Sequence, residues 1–274
     1  MKTLLAVHEV DEDLQDLKHV IKISQHAGAH LNIVVLGVVR VVPMTAAPGV
    51  PDFYYNESNQ EMIAAGKARV EEIEALVAAQ GLSATITLEC RDPALIEQTF
   101  LRHSMFCDAT IFPNGVVLSN DLKTRAFNGA LLDSGTPALI LGKDAETLPT
   151  IKTIMFAWNG EPQAAKAVHQ SLRWIEGEAK AHVVLIDPDE YAQGPNPGDD
   201  LAAFLARQNL KVSVDRLPSG RRPTSEVLLE HANDINADLL VMGAYGHSRL
   251  REWLLGGTTR SILDKAELPV LMAH

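Results

Sequence analysis

Asp238-Leu-Leu-Val-Met-Gly-Ala-Tyr-Gly-His-Ser-Arg-Leu-Arg-Glu-Trp-Leu-Leu-Gly-Gly-Thr-Thr-Arg-Ser-Ile-Leu-Asp-Lys-Ala-Glu-Leu-Pro-Val-Leu-Met-Ala-His274 is the stretch from which the rest of the chain can be read. Leu239 to Met242 carry no charge and are bounded by Asp238 and Gly243, the pattern of a strand buried on both faces of a parallel sheet. Gly243 and Gly246 let the chain turn where a Cβ would obstruct it, and let backbone N–H groups approach a ligand. Gly256-Gly257-Thr258-Thr259 then opens a helical segment, Arg260 to Ala266, that stops before Pro269. A helix N-terminus beside loose glycine turns suits an anion, because its first N–H groups are unpaired and the peptide dipole is positive there. The plain alternative is that these glycines only carry a loop over the sheet.

The spacing Gly243-x2-Gly246-x9-Gly256, set between a buried strand and a final Pro-Val-Leu-Met strand, resembles the nucleotide-binding signature of universal stress proteins. That resemblance implies a Rossmann-like, adenine nucleotide alpha-hydrolase-like fold and a site for ATP, ADP or AMP, with or without Mg. The chain departs from the pattern at Gly257, where ATP-binding members carry Ser or Thr. Either Thr258, Thr259 or the backbone amides replace that hydroxyl, or triphosphate binding is lost.

A chain of 274 residues predicts about two domains. Its 46% hydrophobic and 22% charged residues suit globular domains that each bury a core. A net charge of −11 argues against a general nucleic-acid or anionic-membrane binder, since both need clustered Lys and Arg. The start, Met1 to Asp11, is too briefly apolar for a signal peptide, and no run reaches the about 18 residues of a membrane span. A cytoplasmic location is the expectation. Cys90 and Cys107 make neither a disulfide scaffold nor a zinc motif and read as small buried hydrophobes.

From the N-terminus, Thr3 to Val7 reads as a strand and Asp11 to Ala27 as a helix closed by Gly28, followed by a strand from Leu31 to Val39. Arg40 to Asn56, with three prolines and no steady period, reads as a loop, its Phe53, Tyr54 and Tyr55 tucked against the domain or offered for docking. Gln60 to Gln80 is the longest helix, with Glu71, Glu72 and Glu74 on its wet side and Gly81 ending it. Strand Ala84 to Leu88, helix Pro93 to Ser104, strand Ala109 to Phe112, helix Leu122 to Leu132 and strand Pro137 to Leu141 complete this half.

The second half repeats the first. Thr153-Ile-Met-Phe-Ala matches Thr3-Leu-Leu-Ala-Val at an offset of 150, Asp238-Leu-Leu-Val-Met matches Asp108-Ala-Thr-Ile-Phe at 130, and Leu268-Pro-Val-Leu-Met matches Thr136-Pro-Ala-Leu-Ile at 132. The second copy is therefore shorter in its middle, where strand Ala181 to Ile186, the Pro188-to-Pro197 stretch and a short helix, Asp200 to Gln208, stand. Two tandem doubly wound α/β domains follow, each a five-stranded parallel sheet, over residues 1–145 and 150–274 with a linker from Glu146 to Thr150 marked by Pro149. The final strands of the two copies are expected to pair across a pseudo-twofold, making the chain an intramolecular pseudo-dimer; whether two chains form a homodimer stays open.

Ligands of open parallel sheets sit beyond the carboxyl ends of the strands. In the second copy this places the strand ends Ala157-Trp158-Asn159-Gly160, Leu185-Ile186-Asp187 and Met242-Gly243 around one crevice with Gly246, Gly256, Gly257 and Thr258. By resemblance Ala157 and Asn159 meet the adenosine, although members commonly carry Asp where Asn159 stands. Asn159 as a turn residue and Leu185 as a core residue are the alternatives. His247, Arg249 and Arg251 would assist phosphates or face water, and Trp253, Leu254 and Leu255 read as packing or a subunit patch.

The first copy has Pro113 at the position of Gly243 and Asp121 nearby, so it reads as the degenerate partner, with Gly129 where a phosphate glycine might stand. No phosphate loop, nucleophile elbow or paired carboxylates occur, so no catalytic residue is assigned. No His-x3-His or His-Glu-x2-His spacing occurs, so no metal centre is expected. The expectation is an adenine-nucleotide-binding regulatory protein of the stress response, acting on a protein partner. A ligand-free interaction scaffold and a weak ATP hydrolase are the alternatives.

Overall fold

Ten strands form one sheet in the computed structural model, which describes residues 2–40, 52–119, 121–132, 134–143, 148, 150–175, 177–189, 196–245 and 257–274. The first half runs β1 (Thr3–Glu9), α1 (Gln15–His26), β2 (His30–Val38), α2 (Asp52–Ala79), β3 (Ala84–Arg91), α3 (Ile96–Ser104), β4 (Ala109–Phe112), α4 (Val116–Ser119), α5 (Asp121–Leu131) and β5 (Ala138–Ile140). The second runs β6 (Thr153–Ala157), α6 (Pro162–Ser171), β7 (Lys180–Ile186), α7 (Asp199–Ala206), β8 (Lys211–Leu217), α8 (Thr224–Asp234), β9 (Leu239–Gly243), α9 (Gly257–Lys265) and β10 (Val270–Ala273).

Across the sheet the order is β3-β2-β1-β4-β5-β10-β9-β6-β7-β8, the same five-strand order read outward from the centre in both halves. Pairing is parallel within each half and antiparallel only between β5 and β10. There Leu139 faces Leu271, residues that are equivalent in the repeat, so the pseudo-twofold passes between them. Asp108 and Asp238 mark the same symmetry. Asp108 Oδ2 accepts the amides of Lys2 and Thr3 at 2.6 and 3.1 Å, and Asp238 Oδ2 accepts those of Lys152 and Thr153, both at 2.8 Å.

Strand residues alternate between two cores. Leu4, Ala6, Ile154, Phe156, Leu139 and Leu271 face the layer of α1, α2, α6 and α7. Leu5, Val7, Met155, Leu240, Ile140 and Met272 face α3, α5, α8 and α9. Both cores cross the β5–β10 seam, so parting the halves would expose Leu139 and Leu271, each worth about 1.5–3 kcal/mol of burial.

In the first half the start of α2 differs from the sequence reading. α2 begins at Asp52, inside the stretch expected to be loop, and extends without an apolar period because a nucleated helix adds one hydrogen bond for each further residue. Residues 41–51, and the Phe53-to-Tyr55 side chains proposed for docking, lie outside what is described. Glu71, Glu72 and Glu74 are exposed and Ile73 and Val77 buried, as expected. Pro93 opens a single 3₁₀ turn whose preceding residue, Asp92, accepts the Ala94 amide at 3.0 Å. Both cysteines are free and half-buried rather than fully buried, and burial pushes both thiols up. Most of the linker lies outside the described residues.

Candidate functional site

The register aligns Ala157 with both Val184 and Met242, so β6, β7 and β9 end together. Beyond their carboxyl ends opens a cavity of about 770 Å³, within the range of small-molecule sites. Ala157, Asn159, Leu185, Met242, Gly243, Gly257 and Thr258 line it together. Gly246 and Gly256 lie outside the described residues, as do His247, Arg249, Arg251, Trp253, Leu254 and Leu255. Trp158 and Asp187, at strand ends read from the sequence, also line the cavity, as do Thr224, Leu228 and Tyr245, which were not read from the sequence as site residues.

Gly243 is required for a reason the sequence does not display. A Cβ on it would stand 2.6 Å from the Ala164 amide nitrogen and 2.9 Å from the Gln163 carbonyl carbon, so glycine lets β9 pack against the first turn of α6. It has no left-handed φ, which removes the turn argument. At Gly257 nothing among the described residues lies within 4 Å of a Cβ, and the residue begins α9, three positions before the helix start expected at Arg260. Gly257, Thr258 and Thr259 therefore form the first turn, the part of a helix whose amides lack partners.

Charge is distributed unevenly around this cavity. Glu161, Asp187 and Asp189 stand at the ends of β6 and β7, while the positive end of α9 follows β9. The hydroxyl and amide of Ser219 hold the exposed Asp187 carboxyl below the usual carboxylate range, the amide at 3.0 Å. Asp187 and Tyr245 adopt left-handed φ of 44° and 63°, a region that aspartate tolerates and tyrosine adopts rarely. Burial pushes the Tyr245 phenol up, and its hydroxyl donates to Asn128 Oδ1 on α5 at 2.8 Å, linking the crevice to the other half.

The equivalent end of β1 is built differently. Lys123, 2% exposed, reaches Glu12 at 2.7 Å and the Val7 carbonyl at 3.4 Å. His8 beside them is 1% exposed and is pushed down to about 4 by burial, against the pull of Glu12. Gly129 is not a phosphate glycine. A Cβ there would lie 2.2 Å from the Glu97 carbonyl oxygen, so it lets α5 pack onto α3.

A second cluster was invisible in the sequence because three elements supply it. His182 on β7, Asp215 on β8 and His231 on α8 meet within 4.8 Å, although no motif spacing joins them. Both rings face Asp215 and hold its carboxyl below the usual range, despite partial burial that pushes the other way.

The strand order and the crevice define a doubly wound α/β protein with a cavity at the carboxyl ends of its strands. The universal stress protein family's sequence model matches residues 150–274, and that half of the chain belongs to the universal stress protein family. The chain is 29% identical over 143 residues to universal stress protein Slr1230 of Synechocystis, covering 49% of this chain and 46% of that one. It is 35% identical over 48 residues to stress response protein NhaX of Bacillus subtilis, covering 18% and 29%. The chain thus spans less than half the length of the curated relatives it matches. A universal stress protein from Archaeoglobus fulgidus shares the fold over 98% of this chain and 95% of its own, with a TM-score of 0.70 and 16% identity. Among the described residues no helix is long and apolar enough to cross a membrane.

Proposed function

We propose that the chain is a tandem universal stress protein, residues 1–145 and 150–274 each forming one domain, and that the second binds an adenine nucleotide. The cavity at the ends of β6, β7 and β9 is the observation that supports this. A nucleotide has one orientation that suits its charges. Its phosphates lie at the first turn of α9, where amides and the dipole favour anions, and its base and ribose lie toward Asp187 and the backbone of Leu185, whose acceptors suit N–H and O–H groups, the Leu185 side chain being buried in the core. Asn159 sits at the end of β6, where it can meet a ribose hydroxyl. A magnesium ion accompanying ATP takes most ligands from phosphate and water, so one of the lining carboxylates suffices for it. The Lys123–Glu12 pair supports reading the first domain as one that takes no nucleotide, because the ammonium stands where a second ligand would need space.

Occupancy acts as a regulatory signal. Ligand shifts the protein toward one arrangement, and a protein partner of the stress response reads the surface it presents, in the cytoplasm. Chemistry on the nucleotide has no assigned base or nucleophile. Gly257 in place of a hydroxyl residue favours a second reading, in which the chain is a scaffold without ligand. Native mass spectrometry of freshly purified protein, followed by calorimetry of the stripped chain with ATP, ADP and AMP, separates the two. Saturable binding of any of them sustains the nucleotide reading, and none with any of the three leaves the scaffold.

A further inference from the structure

We propose that His182, Asp215 and His231 bind a divalent transition cation of the zinc class, with water as the fourth ligand. The proposal does not depend on the nucleotide reading. It begins with register: β8 places Ser213 opposite His182 and Asp215 opposite Val184, so the carboxylate is the diagonal neighbour of the imidazole on one face. Val184 packs on that face against Leu228 of α8, and His231 follows Leu228 by three residues, on the same side of the helix.

The three side chains converge on one point. His182 Nδ1 lies 2.8 Å from Asp215 Oδ2, and His231 Nε2 lies 3.0 Å from the same oxygen. In a tetrahedral site with metal–ligand bonds of about 2.0–2.1 Å, neighbouring ligand atoms are about 3.3 Å apart. Both edges need to open by only ~0.3–0.5 Å to admit a cation. One ligand atom from each residue already lies within 4.8 Å of the others, so the third edge closes by small rotations of the rings. Two imidazoles and one carboxylate suit zinc or cobalt(II), whereas magnesium and calcium take oxygen ligands. The side chains are 17–24% exposed, which leaves the fourth position open to water. Ser213 Oγ, 2.9 Å from His182 Nδ1, gives up that hydrogen bond when the nitrogen takes the metal.

A bound cation would tie α8 to β7 and β8 directly behind Val184 and Leu228, which line the crevice. The competing account is a hydrogen-bonded triad that holds α8 without metal. The test uses the whole chain, stripped with chelator and dialysed, titrated with zinc chloride by calorimetry and with cobalt(II) by visible absorption. One saturable equivalent and the strong d–d bands of four-coordinate cobalt are expected. The double variant His182→Asn/His231→Asn should bind zinc at least about 100-fold more weakly, since even outer partners of a metal site are worth 10–100-fold. Histidine modification with diethylpyrocarbonate, mapped on the unaltered chain, keeps the question open to decision if that variant does not fold. Zinc should protect His182 and His231 and leave the exposed His26 and His169 reactive. No saturable zinc binding, binding unchanged in the folded double variant, or protection that does not single out those two rings would overturn the proposal.

Discussion

Replacing Gly243 with alanine tests how the crevice is built. The added Cβ would stand 2.6 Å from Ala164 N, 2.9 Å from Gln163 C and 3.1 Å from Ala164 Cα. Ordinary contacts are about 3.5–4.0 Å, and all three atoms are backbone, so no side chain can rotate away. The first turn of α6 must withdraw by about 1 Å, or β9 must. Overpacking of this kind costs about 1–3 kcal/mol, offset by about 0.4–1 kcal/mol from the stiffer unfolded chain, for a net loss of ~1–2 kcal/mol. Urea unfolding followed by circular dichroism measures it, with Gly257→Ala as the control, because no atom of the described residues lies within 4 Å of a Cβ there. The control should stay within about 0.5 kcal/mol of the parent or exceed it. Glu161 and Gly160, at the entry to α6, line the cavity, so nucleotide affinity should fall with stability in Gly243→Ala. Unchanged stability combined with lost nucleotide binding would refute the packing argument and return Gly243 to the role of a residue that lets the ligand approach.

Gly257→Ser should strengthen ATP binding by roughly tenfold, the worth of one hydrogen bond to a charged group, with no loss of stability; calorimetry showing equal or weaker binding would remove the phosphates from the first turn of α9. His8 titrates near 4 in the fold against 6.5 for the ordinary ring, so its contribution is full above about pH 6.5 and is lost as pH falls toward 4, by up to roughly 3 kcal/mol. Urea midpoints of His8→Gln should fall less steeply than those of the parent across that window, and parallel profiles would contradict the burial argument. Lys123→Met should destabilise the chain by about 3 kcal/mol by leaving Glu12 without its ammonium, while Lys123→Met/Glu12→Gln should recover part of that loss. A double-mutant cycle showing no coupling would mean that the pair does not hold the end of β1.

Much of the architecture was legible because it rests on local pattern. Uncharged runs such as Leu239 to Met242 read as doubly buried strands, and the repeated Asp-initiated strands at Asp108 and Asp238 disclosed two copies before any pairing was known. The same alternation located the strand ends, and with them Ala157, Asn159, Leu185 and Met242, which the fold brings to one cavity. Glycines were harder to read. Gly243 and Gly129 both answer to a neighbouring helix backbone far away in sequence, and a glycine's letter does not say which obstacle it avoids.

The chain's own order of residues determined that this is a duplicated parallel α/β protein with a crevice in its second copy, since strand burial, helix period and glycine punctuation are properties of neighbours in sequence. Tertiary structure alone decided what lies at a distance: Leu139 meeting Leu271 across the seam, Lys123 reaching Glu12 at the end of β1, Tyr245 joined to Asn128, and His182, Asp215 and His231 brought to one point. Each of these depends on strand register and on which face a helix presents, and register exists only once the sheet is formed.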